Sequence, residues 1–130
     1  MPQQPPVIAV VDDEADVRRA LQRLLRAAGF QVQVYASGSE FMKHASASEQ
    51  DCLVLDLHMP DMTGFDVQDA LFASRIDIPV VVLTGHDTPG SRVRALENGA
   101  RSYLCKPVDE DVLISAIASA IGGAGANANQ

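Results

Sequence analysis

One short stretch near the middle of the chain restricts its possible folds more than any other. Four consecutive apolar residues, Cys52–Leu55, are followed at once by Asp56, and Pro60 ends any regular element soon afterwards. An uninterrupted apolar run of this length is typical of a strand buried on both faces of a helix-covered parallel sheet. Open α/β sheets hold their ligands at the carboxyl ends of such strands. An aspartate there is also a common turn former, so Asp56 alone does not assign a site.

The rest of the chain repeats the same alternation of strand and helix patterns. Segments 7–11, 31–35, 79–84 and 102–105 resemble strands, and helical spacing follows each predicted strand. Five strands alternating with five helices predict a parallel sheet with helices on both faces, which is an α/β three-layer sandwich of (βα)5 type. Right-handed crossovers leave few strand orders, and we expect the flavodoxin-like order 2-1-3-4-5.

The predicted helices differ in the strength of their apolar patterns. Val93, Leu96 and Ala100 are the only apolar marks of the fourth helix, which we therefore expect to be the least firmly packed. The last helix places five apolar residues on one side, namely Val112, Leu113, Ala116, Ile117 and Ala120. We expect residues 1–6 to form an extended lead-in, 7–121 to form one domain, and 122–130 to be a flexible tail or linker stub.

Composition excludes several classes of function. The chain has 130 residues and a formal net charge of −7, which argues against direct binding of nucleic acid or of an anionic membrane by this domain. No apolar run is long enough to span a bilayer, and the first residues have no signal-peptide pattern. The two cysteines are too few for a disulfide framework. We therefore expect a cytoplasmic protein.

The predicted topology brings charged and polar residues from distant parts of the sequence together. Asp12 and Asp13 follow the first strand, and Asp56 follows the third, which is its neighbour in the expected order. Thr84 ends the fourth strand and Lys106 follows the fifth. Because parallel strands end at the same edge of a sheet, these five residues should share one cleft.

The chemistry of this set favours phosphoryl transfer. Three carboxylates in one cleft repel one another unless a cation neutralises them, and oxygen ligands at an open edge suit Mg²⁺. Asp56 would be the nucleophile and would form an aspartyl phosphate. Lys106 would supply a positive charge to the phosphoryl oxygens, Thr84 would supply a hydroxyl donor, and Gly85 would leave the approach open.

Five spaced motifs now carry a resemblance to a known family. They are Val10-Val11-Asp12-Asp13-Glu14, Leu55-Asp56 through Met59-Pro60 with Gly64, Leu83-Thr84-Gly85, Tyr103, and Lys106-Pro107. In this order they resemble the receiver domain of two-component response regulators over roughly residues 7–121. The segments 60–64 and 83–86 are also similar to receivers that precede LuxR-type DNA-binding domains.

The resemblance implies further roles for individual residues. Asp12, Asp13 and Asp56 would hold Mg²⁺ together with the backbone carbonyl of His58. Thr84 and Tyr103 would act as switch residues, with the aromatic ring turning inward on activation. His58 and the second histidine, His86, lie at positions that tune the rate at which water removes the phosphoryl group. Imidazoles at both positions depart from the commonest family pattern.

The expected function is that of a regulatory phosphoacceptor and not of an enzyme, apart from weak self-phosphorylation and autodephosphorylation. A sensor histidine kinase or phosphotransfer protein would donate the phosphoryl group to Asp56. The surface formed by the fourth helix, fifth strand and last helix would then change and favour a partner or a second copy of the chain. A homodimer is the simplest such readout, and the regulated output would be transcriptional. We expect either a single-domain regulator or part of a longer protein.

Three alternatives use the same fold. A flavodoxin-type electron carrier needs a phosphate-binding first loop, which the acids at Asp12 and Asp13 would disfavour. A magnesium phosphohydrolase would need a general acid two residues after its nucleophile, where His58 is an imperfect substitute. An inert scaffold would have no need for the complete set of acids, hydroxyl and lysine. The site residues distinguish these alternatives, because the fold alone cannot.

Overall fold

The computed structural model describes the backbone of residues 4–126 and the side chains of residues 4–122. Five strands alternate with five helices along the chain. The strands are β1 (Val7–Val11), β2 (Gln31–Tyr35), β3 (Cys52–Leu55), β4 (Val80–Thr84) and β5 (Ser102–Cys105). The helices are α1 (Ala15–Ala27), α2 (Gly38–Met42), α3 (Gly64–Ala73), α4 (Pro89–Glu97) and α5 (Glu110–Ala126).

The strands form one parallel sheet in the order β2-β1-β3-β4-β5, which confirms the predicted flavodoxin-like fold. β1 and β3 are direct neighbours, with Val11 beside Leu55 at their carboxyl ends. Every residue of β3 is buried, as its unbroken apolar run predicts. β2 lies at an edge and its residues are partly exposed, which agrees with its alternating sequence. The carboxyl ends of β1 and β3 therefore meet where the strand order reverses.

Each buried strand contributes to an apolar cluster on both faces of the sheet, because successive side chains point to opposite sides. One cluster contains Val11 and Leu55 together with Phe41 of α2 and Val67 of α3. The other cluster is formed against α1 and α5, and its members include Ile8, Val10, Val54, Leu21, Leu25, Leu113 and Ile117. The two layers of helices hold the sheet from both sides and leave the carboxyl ends of the strands open at one edge.

Local sequence signals set several of the helix ends. Gly29 has a φ of 99°, a left-handed conformation that glycine adopts readily, directly after α1. Thr63 caps α3 by accepting a hydrogen bond from the backbone N–H of Asp66, whose carboxylate accepts one from the N–H of Thr63 in return. Thr88 caps α4, and Pro89 occupies the first helical position.

The burial of α4 and α5 shows which of their apolar residues contact the rest of the domain. In α4, Val93 is 54% exposed and Leu96 is 39% exposed, whereas Ala95 is fully buried. In α5, Val112 is 48% exposed, so the prediction that it shares the inward side of the helix is wrong. The larger apolar residues of α4 therefore do not make its main contact with the rest of the domain. The helix contacts the sheet through a small side chain that carries little pattern signal.

The ends of the chain differ partly from the predicted boundaries. α5 continues to Ala126, so residues 122–126 of the predicted flexible tail continue this helix. The remaining tail residues, 127–130, lie outside the described residues, as do residues 1–3 of the predicted lead-in. Residues 4–6 have no regular secondary structure. No helix in the described part of the chain combines the length and the apolar character that a membrane crossing requires.

Candidate functional site

Three aspartates meet at the carboxyl ends of β1 and β3. The backbone N–H of Asp56 donates to the carbonyl of Val11 at 3.0 Å, which continues the β1–β3 pairing by one step. Asp12 and Asp13 follow Val11 directly. Carboxylate oxygens of all three aspartates lie within 4.8 Å of one another. The topology therefore brings together acids that are more than forty positions apart in the sequence.

Two of these three carboxylates are buried. Asp12 is 2% exposed and Asp56 is 5% exposed, whereas Asp13 faces solvent. Burial raises the pKa of Asp56 above its ordinary value, and the negative charges of Asp12 and Asp13 raise it further. The positive charge of Lys106 and the N–H of His58 act in the opposite direction but do not cancel this shift. A cation near Asp56 would favour its ionised form.

Lys106 already has an anionic partner. Its Nζ lies 2.8 Å from Oδ2 of Asp12 and 3.6 Å from Oε1 of Glu14. Burial lowers the pKa of Lys106, but its contact with Asp12 and the nearby charges of Asp56 and Glu14 more than offset this effect, so the net shift is upward. The lysine is positioned by its own backbone N–H, which donates to the carbonyl of Thr84 at 2.8 Å. The peptide bond between Lys106 and Pro107 is cis.

Thr84 lies at the end of β4 with its side chain fully buried. Its Oγ1 accepts a hydrogen bond of 3.1 Å from the backbone N–H of His86. Since the hydroxyl serves as an acceptor in that contact, its own proton remains available for another acceptor. A Cβ at Gly85 would make only an ordinary contact, 3.8 Å from Cδ of Lys106. The approach to this threonine therefore tolerates a small side chain at Gly85.

The two histidines are in direct contact beside the aspartates. Nε2 of His58 lies 3.2 Å from the carbonyl oxygen of His86, and the two ring centroids are 4.8 Å apart. The backbone N–H of His58 donates to Oδ1 of Asp56 at 3.4 Å. Sequence reasoning placed both imidazoles near Asp56 but did not predict that they contact each other. This contact joins the loop after β3 to the loop after β4.

Tyr103 lies apart from these residues. It pairs with Val82 in the sheet, is 7% exposed, and belongs to the apolar cluster on the α3 side. Burial raises the pKa of its phenol, and the nearby charge of Asp87 raises it further. Among the described residues its hydroxyl has no hydrogen-bond partner. The guanidinium of Arg92 lies 5.7 Å from the centroid of its ring.

The convergent residues form a cleft of about 310 Å³. Its lining consists of Asp13, Glu14, Asp56, His58, Gly85, His86 and Lys106. A larger hollow of about 710 Å³ lies at the end of α3, and the charged groups in its described lining are Arg75 and Asp77. The smaller cleft is therefore the one with convergent chemistry.

Gly64 is the residue whose role sequence reasoning missed. Its N–H donates to the carbonyl of Leu57 at 3.0 Å, which ties the start of α3 to the loop after β3. A Cβ at this position would lie 2.5 Å from the carbonyl oxygen of Asp56 and 2.8 Å from Cα of Leu57. Only glycine fits without displacing the backbone that carries Asp56. Gly64 belongs to the motif that begins at Leu55-Asp56, but motif spacing does not reveal that the glycine approaches the backbone of Asp56 and Leu57 closely.

Comparison with known proteins gives a consistent family. The family model for the response regulator receiver domain matches residues 8–118. Transcriptional regulatory protein PrrA of Mycobacterium leprae is 38% identical over 95% of this chain and 53% of its own length. Response regulator protein TodT of Pseudomonas putida is 36% identical over 88% of this chain and 51% of its own length. The chain thus spans about half the length of these relatives.

A solved structure supports the same assignment. The crystal structure of a response regulator receiver protein from Burkholderia phymatum superimposes with a TM-score of 0.78 at 41% identity, over 90% of this chain and 95% of that one. The resemblance of the five motifs, the confirmed strand order and the matched residues all agree. The chain therefore belongs to the response regulator receiver domain family.

Proposed function

We propose that this chain is the phosphoacceptor receiver of a two-component signalling pathway, and that Asp56 accepts the phosphoryl group. The observation that carries the proposal is the cluster of Asp12, Asp13 and Asp56 with Lys106 beside it. The donor would be a phosphohistidine on a sensor histidine kinase or a phosphotransfer protein. The domain would work in the cytoplasm as a regulator and not as an enzyme that turns over a substrate.

The aspartate cluster fits a magnesium ion. All its side-chain donors are oxygens, and Asp13 is open to solvent, which suits an ion that keeps several waters. Asp12, Asp13, Asp56 and the backbone carbonyl of His58 would hold it. When bound, Mg²⁺ would neutralise negative charge on the carboxylates and on the incoming phosphoryl oxygens. The raised pKa of Asp56 supports this proposal, because without a metal ion the buried carboxylate beside two other acids is disfavoured as an anion.

The transfer step is a displacement at phosphorus. An oxygen of ionised Asp56 attacks the phosphorus, the bond from phosphorus to the donor imidazole nitrogen breaks, and that nitrogen leaves with the electron pair. Lys106 would exchange its contact with Asp12 for one with a phosphoryl oxygen, so its charge would remain paired. The hydroxyl proton of Thr84 would be donated to a second phosphoryl oxygen.

Removal of the phosphoryl group by water would be limited by the two histidines. The contact of His58 with the carbonyl of His86 joins the two loops that flank Asp56. A water molecule must approach phosphorus in line with the bond to Asp56 oxygen, so imidazoles beside that path would restrict its entry. We propose that His58 and His86 together set the lifetime of the aspartyl phosphate.

The output would pass through the surface formed by α4, β5 and α5. Thr84 and Tyr103 would couple this surface to phosphorylation, and the changed surface would bind an output domain, a partner or a second copy of the chain. The relatives named above include a transcriptional regulatory protein about twice as long as the matched segment. A transcriptional output, through a LuxR-type or another DNA-binding domain, is therefore part of the proposal.

Acceptor chemistry provides the decisive test. Incubation with magnesium and acetyl phosphate should add the mass of one phosphoryl group, and hydroxylamine should remove it because an acyl phosphate is labile. Asp56→Asn should abolish the addition, whereas Asp69→Asn on the exposed side of α3 should be labelled like the wild type. Phosphate found on a residue other than Asp56, or full labelling of Asp56→Asn, would refute the proposal.

Magnesium binding provides a second test. Asp13→Ala should weaken the binding of Mg²⁺ by on the order of tenfold or more, because it removes one of the charges that attract the ion. Asp69→Ala serves as a control that removes an equal charge outside the cleft. Calorimetric titration measures both affinities. Equal affinities for the two variants would show that the cleft does not bind the ion through Asp13.

A further inference from the structure

The two halves of α4 are attached to the rest of the protein very differently. In the first half, Pro89, Gly90, Arg92, Val93 and Arg94 are all exposed. Near the other end Ala95 is fully buried, and Ala100 after the helix is 8% exposed. The first half follows directly from the loop that carries His86, whereas the second half packs on the body of the domain. Among the described residues, α4 thus buries a side chain near its carboxyl end and none in its first half.

The carboxyl end of α4 is closed by a regular capping motif. Gly99 has a φ of 102°, and its N–H donates to the carbonyl of Leu96 at 3.0 Å. The N–H of Ala100 donates to the carbonyl of Ala95 at 3.0 Å. These two bonds form a Schellman motif, which satisfies carbonyls that would otherwise lack partners within the helix. The end of α4 therefore has one defined conformation.

A buried glutamine of α3 takes part in this motif. Gln68 is 4% exposed, and its Nε2 donates to the carbonyl oxygen of Ala95 at 3.0 Å. The Ala95 carbonyl thus accepts two hydrogen bonds, one from the motif and one from the neighbouring helix. Among the described residues, Oε1 of Gln68 has no partner. Within the described part of the chain, the bond to the Ala95 carbonyl is the hydrogen bond that orients this buried side chain.

The first half of α4 has only weaker attachments. The guanidinium of Arg92 lies 5.7 Å from the ring centroid of Tyr103, and that of Arg94 lies 4.1 Å from the ring centroid of Phe65. Both arginines are exposed, and cation–π contacts at exposed sites contribute little. If this half of the helix is displaced, water replaces the aromatic rings as the partners of the two guanidinium groups. A displacement of the other half would break buried hydrogen bonds, which is much less favourable.

We propose that Gln68 is a positioning residue that pins the carboxyl end of α4 to α3. The pinned end is the pivot about which the first half of the helix moves when the loop after Thr84 responds to phosphorylation. The motion therefore changes the surface around Arg92 and Val93 and leaves the segment 95–100 in place. This inference rests on the proposed function for its trigger, but the pinning itself concerns the unphosphorylated chain.

The pinning is tested without any phosphorylation. Gln68→Met keeps the length and the unbranched shape of the side chain but removes the donor, whereas Gln22→Met makes the same substitution on α1 as a control. Amide hydrogen exchange followed by NMR should be about fivefold faster at Gly99 and Ala100 in Gln68→Met, as expected for the loss of one hydrogen bond. It should be unchanged there in Gln22→Met. Unchanged exchange at Ala100 in Gln68→Met would overturn the proposal.

The pivot is tested in the wild-type chain, so that the outcome does not depend on the folding of a variant. Addition of a beryllofluoride mimic with Mg²⁺ should shift the amide resonances of residues 86–94 and leave those of Gly99 and Ala100 nearly unchanged. Equal shifts along the whole of α4 would overturn the pivot. Failure of the proposed function is recognised separately, because acetyl phosphate would then not label Asp56. The hydrogen-exchange result on Gln68→Met decides the role of Gln68 in either case.

Discussion

α3 and α4 lie on the same face of the sheet and begin in the same way, yet they are packed differently. Each starts after a threonine that caps it, Thr63 for α3 and Thr88 for α4. α3 buries Gly64, Val67, Gln68 and Leu71. α4 buries only Ala95 and exposes its larger apolar residues to solvent. The same starting signal thus leads to one firmly held helix and one weakly held helix.

The difference extends to the two loops that precede these helices. The loop after β3 carries Asp56 and is tied to α3 by the close approach of Gly64. The loop after β4 follows Thr84 and is exposed from Gly85 to Thr88. An acceptor must keep its geometry, whereas a reporter must be able to change its own. In the proposed function, the acceptor Asp56 therefore lies on the rigid side of the cleft. Thr84, which would contact the phosphoryl group, directly precedes the loop on the adaptable side.

The largest expected contrast between the two helices comes from matched leucines. Leu71→Ala in α3 should lower the free energy of unfolding by about 3 kcal/mol, because the side chain is 4% exposed and its loss leaves a cavity. Leu96→Ala in α4 should lower it by less than about 1 kcal/mol, because that side chain is 39% exposed. Urea denaturation followed by circular dichroism measures both values. Similar losses for the two variants would mean that α4 is as firmly packed as α3.

A contrast in the sign of the effect, with a smaller maximal loss, comes from matched glycines. Gly64→Ala should destabilise the chain by about 2 kcal/mol, because its Cβ would meet backbone atoms of Asp56 and Leu57 that cannot move freely. Gly90→Ala in α4 should instead stabilise it by about 0.5 kcal/mol, because no atom lies within 4 Å and alanine favours the helix. The same denaturation experiment gives both signs. A neutral Gly64→Ala would show that the loop of Asp56 is less rigid than the comparison requires.

The sheet could be predicted from the sequence because its signals are strong and local. Unbroken apolar runs such as Cys52–Leu55 fix the strands, and the rule of right-handed crossovers then leaves few strand orders. The residue that attaches α4 could not be predicted, since its larger apolar residues, Val93 and Leu96, are exposed in the structure. Ala95 makes the contact instead, and alanine is common on both faces of helices. Patterning therefore fails where a helix is attached by a small residue and by hydrogen bonds.

The sequence predicts which residues form the candidate site but not which contacts they make with one another. Sequence order and topology together bring Asp12, Asp56 and Lys106 to one edge. The pairing of Lys106 with Asp12 joins residues 94 positions apart and depends on side-chain conformations that no spacing rule supplies. Side-chain conformations also determine the contact between His58 and His86 and the hydrogen bond from Gln68 to Ala95. The roles of the site residues in phosphoryl transfer stay predictions.

The smallest expected effect on stability comes from the buried charge of Asp56, on the rigid side of the cleft. Burial and the neighbouring aspartates raise the pKa of Asp56 above its ordinary value of 3.8. Between the ordinary and the raised pKa, the folded chain binds more protons than the unfolded chain, so stability falls as pH rises through this window. Without magnesium, Asp56→Asn should therefore be more stable than the wild type at neutral pH. This advantage should shrink as pH falls through the same window, and it should be lost below 3.8, where Asp56 is protonated in both states.

The matching change on the adaptable side is Asp87→Asn, at an exposed carboxylate in the loop before α4. Thermal unfolding at a series of pH values, in the presence of a chelator, compares the two substitutions with the wild type. The stabilisation at neutral pH should be larger for Asp56→Asn than for Asp87→Asn, because only the first removes a charge from a buried place. Addition of Mg²⁺ should then stabilise the wild type and not Asp56→Asn, since an ion that binds the folded state alone shifts the unfolding equilibrium. A wild type that is more stable than Asp56→Asn without any metal would show that Lys106 outweighs burial and that the cleft holds its charges without strain.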